Sequence, residues 1–479
     1  MAAVKLLTLA YIGPLFAADT DDYFRFANLI LSDDTWWYDA RLADGELLPD
    51  RWRIIGYPAM IAVAILAFGD NWTWALVIFQ VIFSTLAITY FCNLIRITTK
   101  SQYTAVFGCA AIAGSVSFVW DNFLLTDSLH ASLLIILYTA LIRNLIQPNP
   151  PASMLLIFGI GMLLVPALLL RDITLYIAVF IAPVVLFWTY STTPNLIKSV
   201  ALTAIFYLPL AATVTLYISW NSARSDEAFI TTSSRTAVMV PLLRMEAAGE
   251  PIFDQDTPLD TAATRTLREI GIQKALATTY GVMEHVYATN RILTENYGMN
   301  SVEVARAVSG RFISVVLTKP MTILRYLTTQ LRPAAVFRLF FQPVYSVTAT
   351  YEIKEGRTDI GSLSRFSPLI KRISNGDYIF GHALLLVAEG LSRIAAIILA
   401  AGFLILFPSL YLLNVAKRKQ PPQAIWLVCW VIPFGTAILY GMVHFEPRYL
   451  MATVPLAVLI SLVTIKKFFS NILGQLSQH

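Results

Sequence analysis

The sequence predicts an all-α polytopic membrane protein with about ten transmembrane helices, interfacial helices on the outer face and one larger extracytoplasmic loop domain. Three observations predict this fold. The chain of 479 residues is 57% hydrophobic and 14% charged, whereas soluble domains have about a quarter of their residues charged. Apolar segments of helical length recur between polar breaks. Lys and Arg gather in alternate short connections, which is typical of multi-pass proteins.

The first apolar segment, 6–18, follows Lys5 and ends at a group of carboxylates. A basic residue before a short apolar run also fits a signal peptide, but Phe16-Ala17-Ala18 lacks the small-x-small cleavage pattern. We therefore predict an uncleaved first membrane helix, with the signal peptide as the alternative. The next segment, 54–69, is too short to span and predicts an interfacial or re-entrant helix on the outer side.

Further spans are predicted at 73–95, 101–119, 128–146, 153–170, 173–190, 199–219, 386–413, 423–443 and 449–466. A cytoplasmic N-terminus makes the even-numbered connections cytoplasmic, and these carry Arg96, Lys100, Arg143, Lys198 and the basic run 417–419. The chain then divides into an N-terminal membrane module, 1–219, with its first outer loop at 19–53, an extracytoplasmic domain, 220–382, and C-terminal helices, 383–479.

The remaining composition excludes some function classes. The net charge of +5 is small and dispersed, and no nucleic-acid module is recognisable, so nucleic acid is not an expected partner. Cys92, Cys109 and Cys429 lie in or beside apolar runs without metal-ligand spacing and are predicted to be buried thiols.

One stretch of the extracytoplasmic domain, 306–338, carries basic residues but no acid. Apolar residues punctuate it, and Pro320 and Pro333 interrupt it. This pattern predicts an amphipathic helix lying on anionic headgroups. The alternative is a helix packed on the rest of the loop domain.

The first candidate site is the acidic start of the first outer loop. Asp19, Asp21 and Asp22 stand where a membrane helix would meet water, beside a Trp-rich loop with Trp36 and Trp37. The alternative is that these acids only stabilise the start of a helix, with Asp19 as its N-cap and Asp22 as its N3 residue. Near a lipid surface, the same carboxylates suit a substrate whose headgroup arrives in the membrane.

A second acid, Asp127, opens the fourth predicted span from the same side, and helix capping is again the alternative. Asp121, just before it, is expected to be solvated. His130, one turn after Asp127, is expected either to bond to that acid or to face another helix, and one His does not indicate a metal.

Outer basic residues are the candidate phosphate ligands, since arginine binds phosphate bidentately. Arg171 ends one span beside Asp172, with which it could pair. Arg448 follows His444 and precedes Tyr449 at another outer turn, where a headgroup anchor with a belt aromatic is the alternative. Arg51 and Arg53 precede the interfacial helix and carry the same alternative.

Taken in order, these motifs resemble the GT-C glycosyltransferases, membrane enzymes that include the protein mannosyltransferases and the lipid A aminoarabinose transferases. Asp19-Thr-Asp-Asp-Tyr-Phe-Arg-Phe-Ala resembles their first outer loop. Arg53-Ile-Ile-Gly-Tyr-Pro, followed by Phe68-Gly-Asp, resembles their Arg-x-Pro-Gly-Tyr-Pro segment and later Phe-Gly. Thr126-Asp127-Ser-Leu resembles the Thr-Asp/Glu pair that opens the fourth span, and Arg448-Tyr449 fits the end of the chain.

The resemblance covers residues 10–190, is loose at the C-terminus and is absent over 220–382. Ile54-Ile55 departs from the family, which often has proline there. A large soluble C-terminal domain is also missing from the pattern, which argues against a peptide-scanning oligosaccharyltransferase.

The resemblance implies an inverting transfer of a sugar from a polyprenyl-phosphate donor to a hydroxyl of a cell-envelope lipid, glycan or protein, on the periplasmic face of a bacterial inner membrane. By motif position Asp19 would be the general base, and Asp127 and Asp22 would orient the base or the acceptor. The phosphate-binding set would be drawn from Arg53, Tyr57, Arg171, His444, Arg448 and Tyr449. The resemblance names no certain cofactor and leaves the need for a divalent cation open.

Two other functional classes are possible for a membrane chain of this composition. A transporter or flippase of a lipid-linked or polar solute usually has ionisable residues at mid-membrane and related halves. Here the charges gather at one surface and neither half resembles the other. A non-catalytic assembly subunit is the third class.

Overall fold

The protein is all-α. The structure, a computed structural model, describes residues 2–32, 35–38, 49–113, 120–146, 153–277, 279–331, 394–395, 397–416, 424–443 and 447–476. The membrane-proximal N-terminal helices are α1 (Ala2–Ile12), α2 (Ala18–Ser32), α3 (Pro49–Trp52), α4 (Gly56–Phe68), α5 (Trp72–Thr99) and α6 (Gln102–Ala113). They are followed by α7 (Asp127–Ile146), α8 (Met154–Gly161), α9 (Leu164–Leu170), α10 (Thr174–Thr192) and α11 (Leu196–Ser225).

The following helices belong to the segment 220–382: α12 (Ser234–Ala247), α13 (Pro258–Ile270), α14 (Ile272–Ala277), α15 (Thr279–Tyr297), α16 (Ser301–Thr318) and α17 (Pro320–Gln330). At the C-terminal end, a π-helical turn at Gly402–Leu406 leads into α18 (Phe407–Ala416), α19 (Ala424–Val443) and α20 (Val454–Leu476). Short 3-10 turns occupy Thr35–Trp37, Gly69–Asn71 and Pro447–Leu450.

The chain is a multi-pass membrane protein. Within the described residues, four helical segments are long and apolar enough to cross a membrane, or five if the bent α16–α17 pair counts as one span. Shorter apolar helices add Gln102–Ile112, Met154–Leu170, Ile397–Leu413 and Trp430–Val443. The long helices expose many apolar side chains, among them Leu86 in α5, Val179 in α10 and Leu216 in α11. Such exposure is expected where lipid rather than water covers the surface.

The first helix is shorter than predicted. The sequence suggested a span over 6–18, but α1 ends at Ile12, because Gly13 has a φ of +82° and Pro14 follows it. Gly favours this left-handed conformation, and Pro does not continue a helix. At about 1.5 Å per residue, the 11 residues of α1 do not cross a core of about 30 Å.

Helices α4 and α5 form a hairpin. They are joined by a 3-10 turn, and the hydroxyl of Tyr57 at the start of α4 donates a 2.7 Å hydrogen bond to Gln80 in α5. These residues would be about 35 Å apart in one straight helix, so the chain reverses at Gly69, whose φ is +52°. Helix α4, with 13 residues, is therefore a short helix before the first long span, as predicted for 54–69.

The described residues form two separate hydrophobic cores. One joins the apolar helices α1 to α11 with α19 and α20. The other is built by residues between Met239 and Tyr326, and so belongs to α12–α17. The proposed boundaries at 219/220 and 382/383 stay predictions, because the second of them lies outside the described residues.

The acid-free stretch packs on its own domain. Helices α16 and α17 are bent by 102° at Lys319, just before Pro320. Arg311 is buried and pairs with Asp260 at 2.8 Å, so it does not contact lipid headgroups as the amphipathic-helix prediction requires. Other basic residues of the stretch also find acids elsewhere in the domain: Arg306 with Glu227, Lys319 with Asp254 and Arg325 with Glu250. This supports the packed-helix alternative, although Leu317 and Met321 at the bend are exposed. Pro333 and Arg338 lie outside the described residues.

Candidate active site

A backbone crossing brings the two acidic motifs together. The link between α1 and α2 pairs with the segment before α7: the Leu15 amide donates to the Asn122 carbonyl (2.8 Å), and the Leu124 amide donates to the Leu15 carbonyl (2.9 Å). The Thr20 hydroxyl then donates to the Leu124 carbonyl (3.1 Å). The start of α2, with Asp19, is thereby fastened to the chain that leads into Asp127.

A buried ion pair supports this crossing. The ammonium group of Lys5 contacts the Asp121 carboxylate, and the two side chains are 2% and 1% exposed. Asp121 also accepts hydrogen bonds from Ser84 (3.0 Å) and Ser128 (2.6 Å). The expectation that Asp121 is solvated was therefore wrong. Its carboxylate ties α1, α5 and α7 to one point, because a buried charge requires both a counter-charge and hydrogen-bond donors.

Asp19 and Asp22 share one arginine. The guanidinium of Arg53 lies 2.7 Å from Asp19 and 2.9 Å from Asp22. Helix α2 begins at Ala18, so Asp19 is inside the first turn and not at the predicted capping position. One helical turn separates the two carboxylates, which puts both on the face of α2 that meets the chain before α4. Both acids stay partly open, with 34% and 31% of their side chains exposed.

Tyr23 connects this triad to the second acidic motif. The guanidinium of Arg53 lies 4.9 Å from the centre of the Tyr23 ring, a cation–π distance. The Tyr23 hydroxyl and the Thr126 hydroxyl are 3.4 Å apart. Because Thr126 directly precedes Asp127, a continuous series of contacts runs from Asp19 to the start of α7.

Asp127 pairs with Arg171. Their side chains are 4% and 21% exposed, and the same guanidinium lies 4.8 Å from the Tyr449 ring centre. The possibility that Arg171 pairs with its neighbour Asp172 was wrong. Asp172 instead accepts hydrogen bonds from Thr231 (2.6 Å) and Ser233 (3.0 Å). Arg171 thus joins α7, α10 and the last turn before α20.

Tyr57 and His130 support the site from behind. Tyr57 is fully buried, its ring meets that of Tyr23 edge-on at 5.2 Å, and its hydroxyl is bonded to Gln80. That position suits a residue that orients Tyr23 better than one that contacts a phosphate. The His130 ring shares a 2.9 Å hydrogen bond with Thr174, which agrees with the expectation that it faces another helix.

Two of the predicted residues have no described side chain. His444 lies outside the described residues. Arg448 lies in the 3-10 turn Pro447–Leu450, next to Tyr449, and only its backbone is described. Their predicted contacts with phosphate stay predictions.

The electrostatic interactions of the cluster extend to helices α12 and α15. Burial acts against the charge of Arg53, but Tyr23, Asp19 and Asp22 together hold its pKa above the ordinary value. Burial also raises the pKa of the Tyr287 hydroxyl in α15; Asp22 and Asp19 raise it further, whereas Arg53 and Arg235 lower it. Tyr287 therefore lies within electrostatic range of the two acids and of both arginines.

The cluster offers the partly exposed carboxylates of Asp19 and Asp22 beside the half-buried guanidinium of Arg53. A carboxylate in that position can take a proton from a hydroxyl, and a guanidinium can bind an anionic oxygen. Among the described residues, no group of three or more His, Cys, Asp and Glu side chains has the arrangement of a metal site. The need for a divalent cation stays open.

Sequence reasoning missed Lys5, Tyr287 and Arg235. Lys5 resembled the basic start of a signal peptide. Tyr287 and Arg235 belong to the domain in which no motif was recognisable, and their proximity to Arg53 depends on tertiary packing. Tyr23 was noted only as part of a motif.

No family model and no curated protein matches the sequence. Among solved structures, the chain is similar to the crystal structure of ArnT from Cupriavidus metallidurans in the apo state, with 14% sequence identity and a TM-score of 0.30, over 96% of this chain and 76% of that chain. Values this low assign neither a family nor a mechanism.

Proposed function

We propose that the protein is a membrane glycosyltransferase that moves a sugar from a polyprenyl-phosphate donor to a hydroxyl of a cell-envelope lipid, glycan or protein. One observation carries the proposal. Asp19 and Asp127, from stretches far apart in the sequence, belong to one series of contacts that includes Arg53 and Arg171. The order of the surrounding motifs resembles the GT-C pattern, and this resemblance is the basis for proposing a polyprenyl-phosphate sugar as the donor.

Asp19 is assigned as the general base. Asp127 is 4% exposed and held by Arg171, so an acceptor from outside does not reach it. Asp19 and Asp22 are each about a third exposed. Asp22 is positioned to hold Arg53 in place while Asp19 accepts the proton. A carboxylate next to the attacking hydroxyl removes its proton as the new bond forms.

The proposed reaction is a single displacement at the anomeric carbon of the sugar. The acceptor oxygen bonds to the anomeric carbon, its proton passes to Asp19, and the bond from that carbon to the phosphate oxygen breaks on the opposite face. The departing polyprenyl phosphate gains charge, which a preorganised cation stabilises. Arg171, placed by Asp127 and Tyr449, is assigned to that phosphate, and Arg448 is proposed to assist.

The charge distribution supports a site on the non-cytoplasmic face. Lys and Arg predominate in the connections opposite to it, and α12–α17 lie on the side of Asp19, because Thr232 in the segment before α12 bonds to the Arg51 carbonyl. We propose a bacterial inner membrane with the site towards the periplasm. Membrane modules 1–219 and 383–479 would hold the donor tail, and 220–382 would cover the site.

A direct experiment uses the full chain in lipid nanodiscs with radiolabelled polyprenyl-monophosphate sugars and an envelope extract as the acceptor source. The proposal predicts a labelled covalent product and release of polyprenyl phosphate, both dependent on the protein. Mass spectrometry of envelope glycans and lipids, with and without the gene, then identifies the acceptor. Movement of solute into vesicles without any covalent product would instead favour a transporter.

A further inference from the structure

Arg235 is a buried cation with no counter-charge among the described residues. Its side chain lies in the first turn of α12 and the residue is 1% exposed. None of its three guanidinium nitrogens has a hydrogen-bond partner among the described residues. Arginine carries five N–H donors, and burying a charge without a partner is strongly unfavourable. Within the described part of the chain, such a group is therefore free to bind an anionic ligand.

The other arginines around the site differ in this respect. Arg53 binds Asp19 and Asp22, Arg171 binds Asp127, and Arg224 binds Asp50 at 2.8 Å. Their charges are balanced inside the protein. Burial lowers the pKa of Arg235 to about 10, with Tyr287 opposing the shift, so the guanidinium keeps its charge at neutral pH.

The surroundings of Arg235 place it at the edge of the acid cluster. The guanidinium carbons of Arg235 and Arg53 lie 5.5 Å and 5.7 Å from the centre of the same Trp52 ring. Tyr287 interacts electrostatically with both arginines and with the two acids of α2. The amino end of α12 adds the positive end of a helix dipole, and its first turn contains no acid.

We propose that Arg235 binds an oxyanion of a substrate, a phosphate or a carboxylate, at the extracytoplasmic wall of the site. Both groups match the planar guanidinium in a two-bond arrangement. The oxyanion belongs either to the donor phosphate or to an acidic acceptor. This choice of source rests on the proposed glycosyl transfer, whereas the binding itself does not.

Binding is tested without any sugar transfer. The full chain in detergent micelles is heated in sodium phosphate, and in sodium chloride at the same ionic strength, while unfolding is followed by tryptophan fluorescence. We expect phosphate to raise the unfolding midpoint of the native protein saturably. Arg235→Met should lose that shift, and Arg235→Lys should keep part of it. Arg265→Gln, which alters an exposed arginine paired with Glu269 in the same domain, should respond like the native protein.

A structural role for Arg235 predicts a different result. If the arginine held the fold together, Arg235→Met would lower the midpoint in chloride. We expect an equal or higher midpoint there, since the variant removes a buried charge that has no counter-charge among the described residues. An equal phosphate shift in Arg235→Met and the native protein would overturn the proposal, as would no shift in either.

The source of the oxyanion follows from kinetics in the transfer assay. Arg235→Met should raise the KM for the donor more than tenfold if the donor phosphate is bound, or the KM for the acceptor if the acceptor is acidic. Unchanged values for both would overturn the assignment of Arg235 to a substrate. Absence of transfer in the native protein would overturn the proposed function and leave the phosphate measurement to decide on Arg235.

Discussion

The ion pair between Asp127 and Arg171 allows a quantitative prediction. Asp127→Asn leaves a guanidinium that is 21% exposed without its counter-charge. Breaking a fully buried pair costs about 3–5 kcal/mol. The exposed part of Arg171 and its contact with the Tyr449 ring reduce that cost, so we expect a loss of roughly 2–4 kcal/mol in the free energy of unfolding.

The assay is reversible unfolding in mixed micelles with increasing SDS, followed by tryptophan fluorescence. The cycle contains the native protein, Asp127→Asn, Arg171→Gln and the double variant. We expect the double variant to lose less than the sum of the single losses, with a coupling energy of about 1–3 kcal/mol. Glu269→Gln, which breaks an exposed pair with Arg265, is the control and should change stability by less than about 1 kcal/mol.

Additive losses within about 0.5 kcal/mol would refute the pairing of Asp127 with Arg171, and with it the placement of Arg171 in the site. A stable Asp127→Asn variant with unchanged transfer would have the same consequence. We expect transfer to fall in this variant, because the guanidinium assigned to the leaving phosphate is no longer held.

Two further predictions concern the framework of the bundle. Asp121→Asn should lower the free energy of unfolding by about 3–5 kcal/mol, because Lys5 stays buried without its counter-charge. Unfolding in SDS measures this loss, and a native-like midpoint would contradict the contact between Lys5 and Asp121. Gly161→Ala should cost about 1–3 kcal/mol, since the new methyl group would lie 2.0 Å from the Phe206 carbonyl oxygen. Gly159→Ala, in the same helix with open space at that position, should be neutral or slightly stabilising, and equal losses in both variants would exclude close packing as the cause.

The elements that a local pattern determines were predicted well. Long apolar runs predicted α5, α7, α10 and α11 within a few residues, because in lipid a span must be apolar and helical along its whole length. The short length of 54–69 agrees with the 13 residues of α4, and its position relative to the membrane stays a prediction. The end of α1 was missed, although Gly13 and Pro14 carried the signal.

The candidate site was predicted only in part. The sequence indicated the acids Asp19 and Asp127 because both follow apolar segments on the same side. It gave no basis for pairing Arg53 with the first acid and Arg171 with the second, since an ion pair depends on which helices are neighbours. Arg235 was not predicted for the same reason. Its importance depends on the lack of a hydrogen-bond partner among the described residues, which only the tertiary structure shows.

The reactive role of Asp19 is the central claim, and the rate of sugar transfer by Asp19→Asn tests it most directly. The variant keeps the pair between Arg53 and Asp22, so it should fold and insert. Its matched control is Asp21→Asn, which changes an exposed acid on another face of the same helix. We predict that Asp19→Asn slows transfer from a polyprenyl-phosphate sugar by about 10²–10⁴-fold, whereas Asp21→Asn transfers the sugar at the native rate. Native turnover by a correctly folded Asp19→Asn protein would contradict the account.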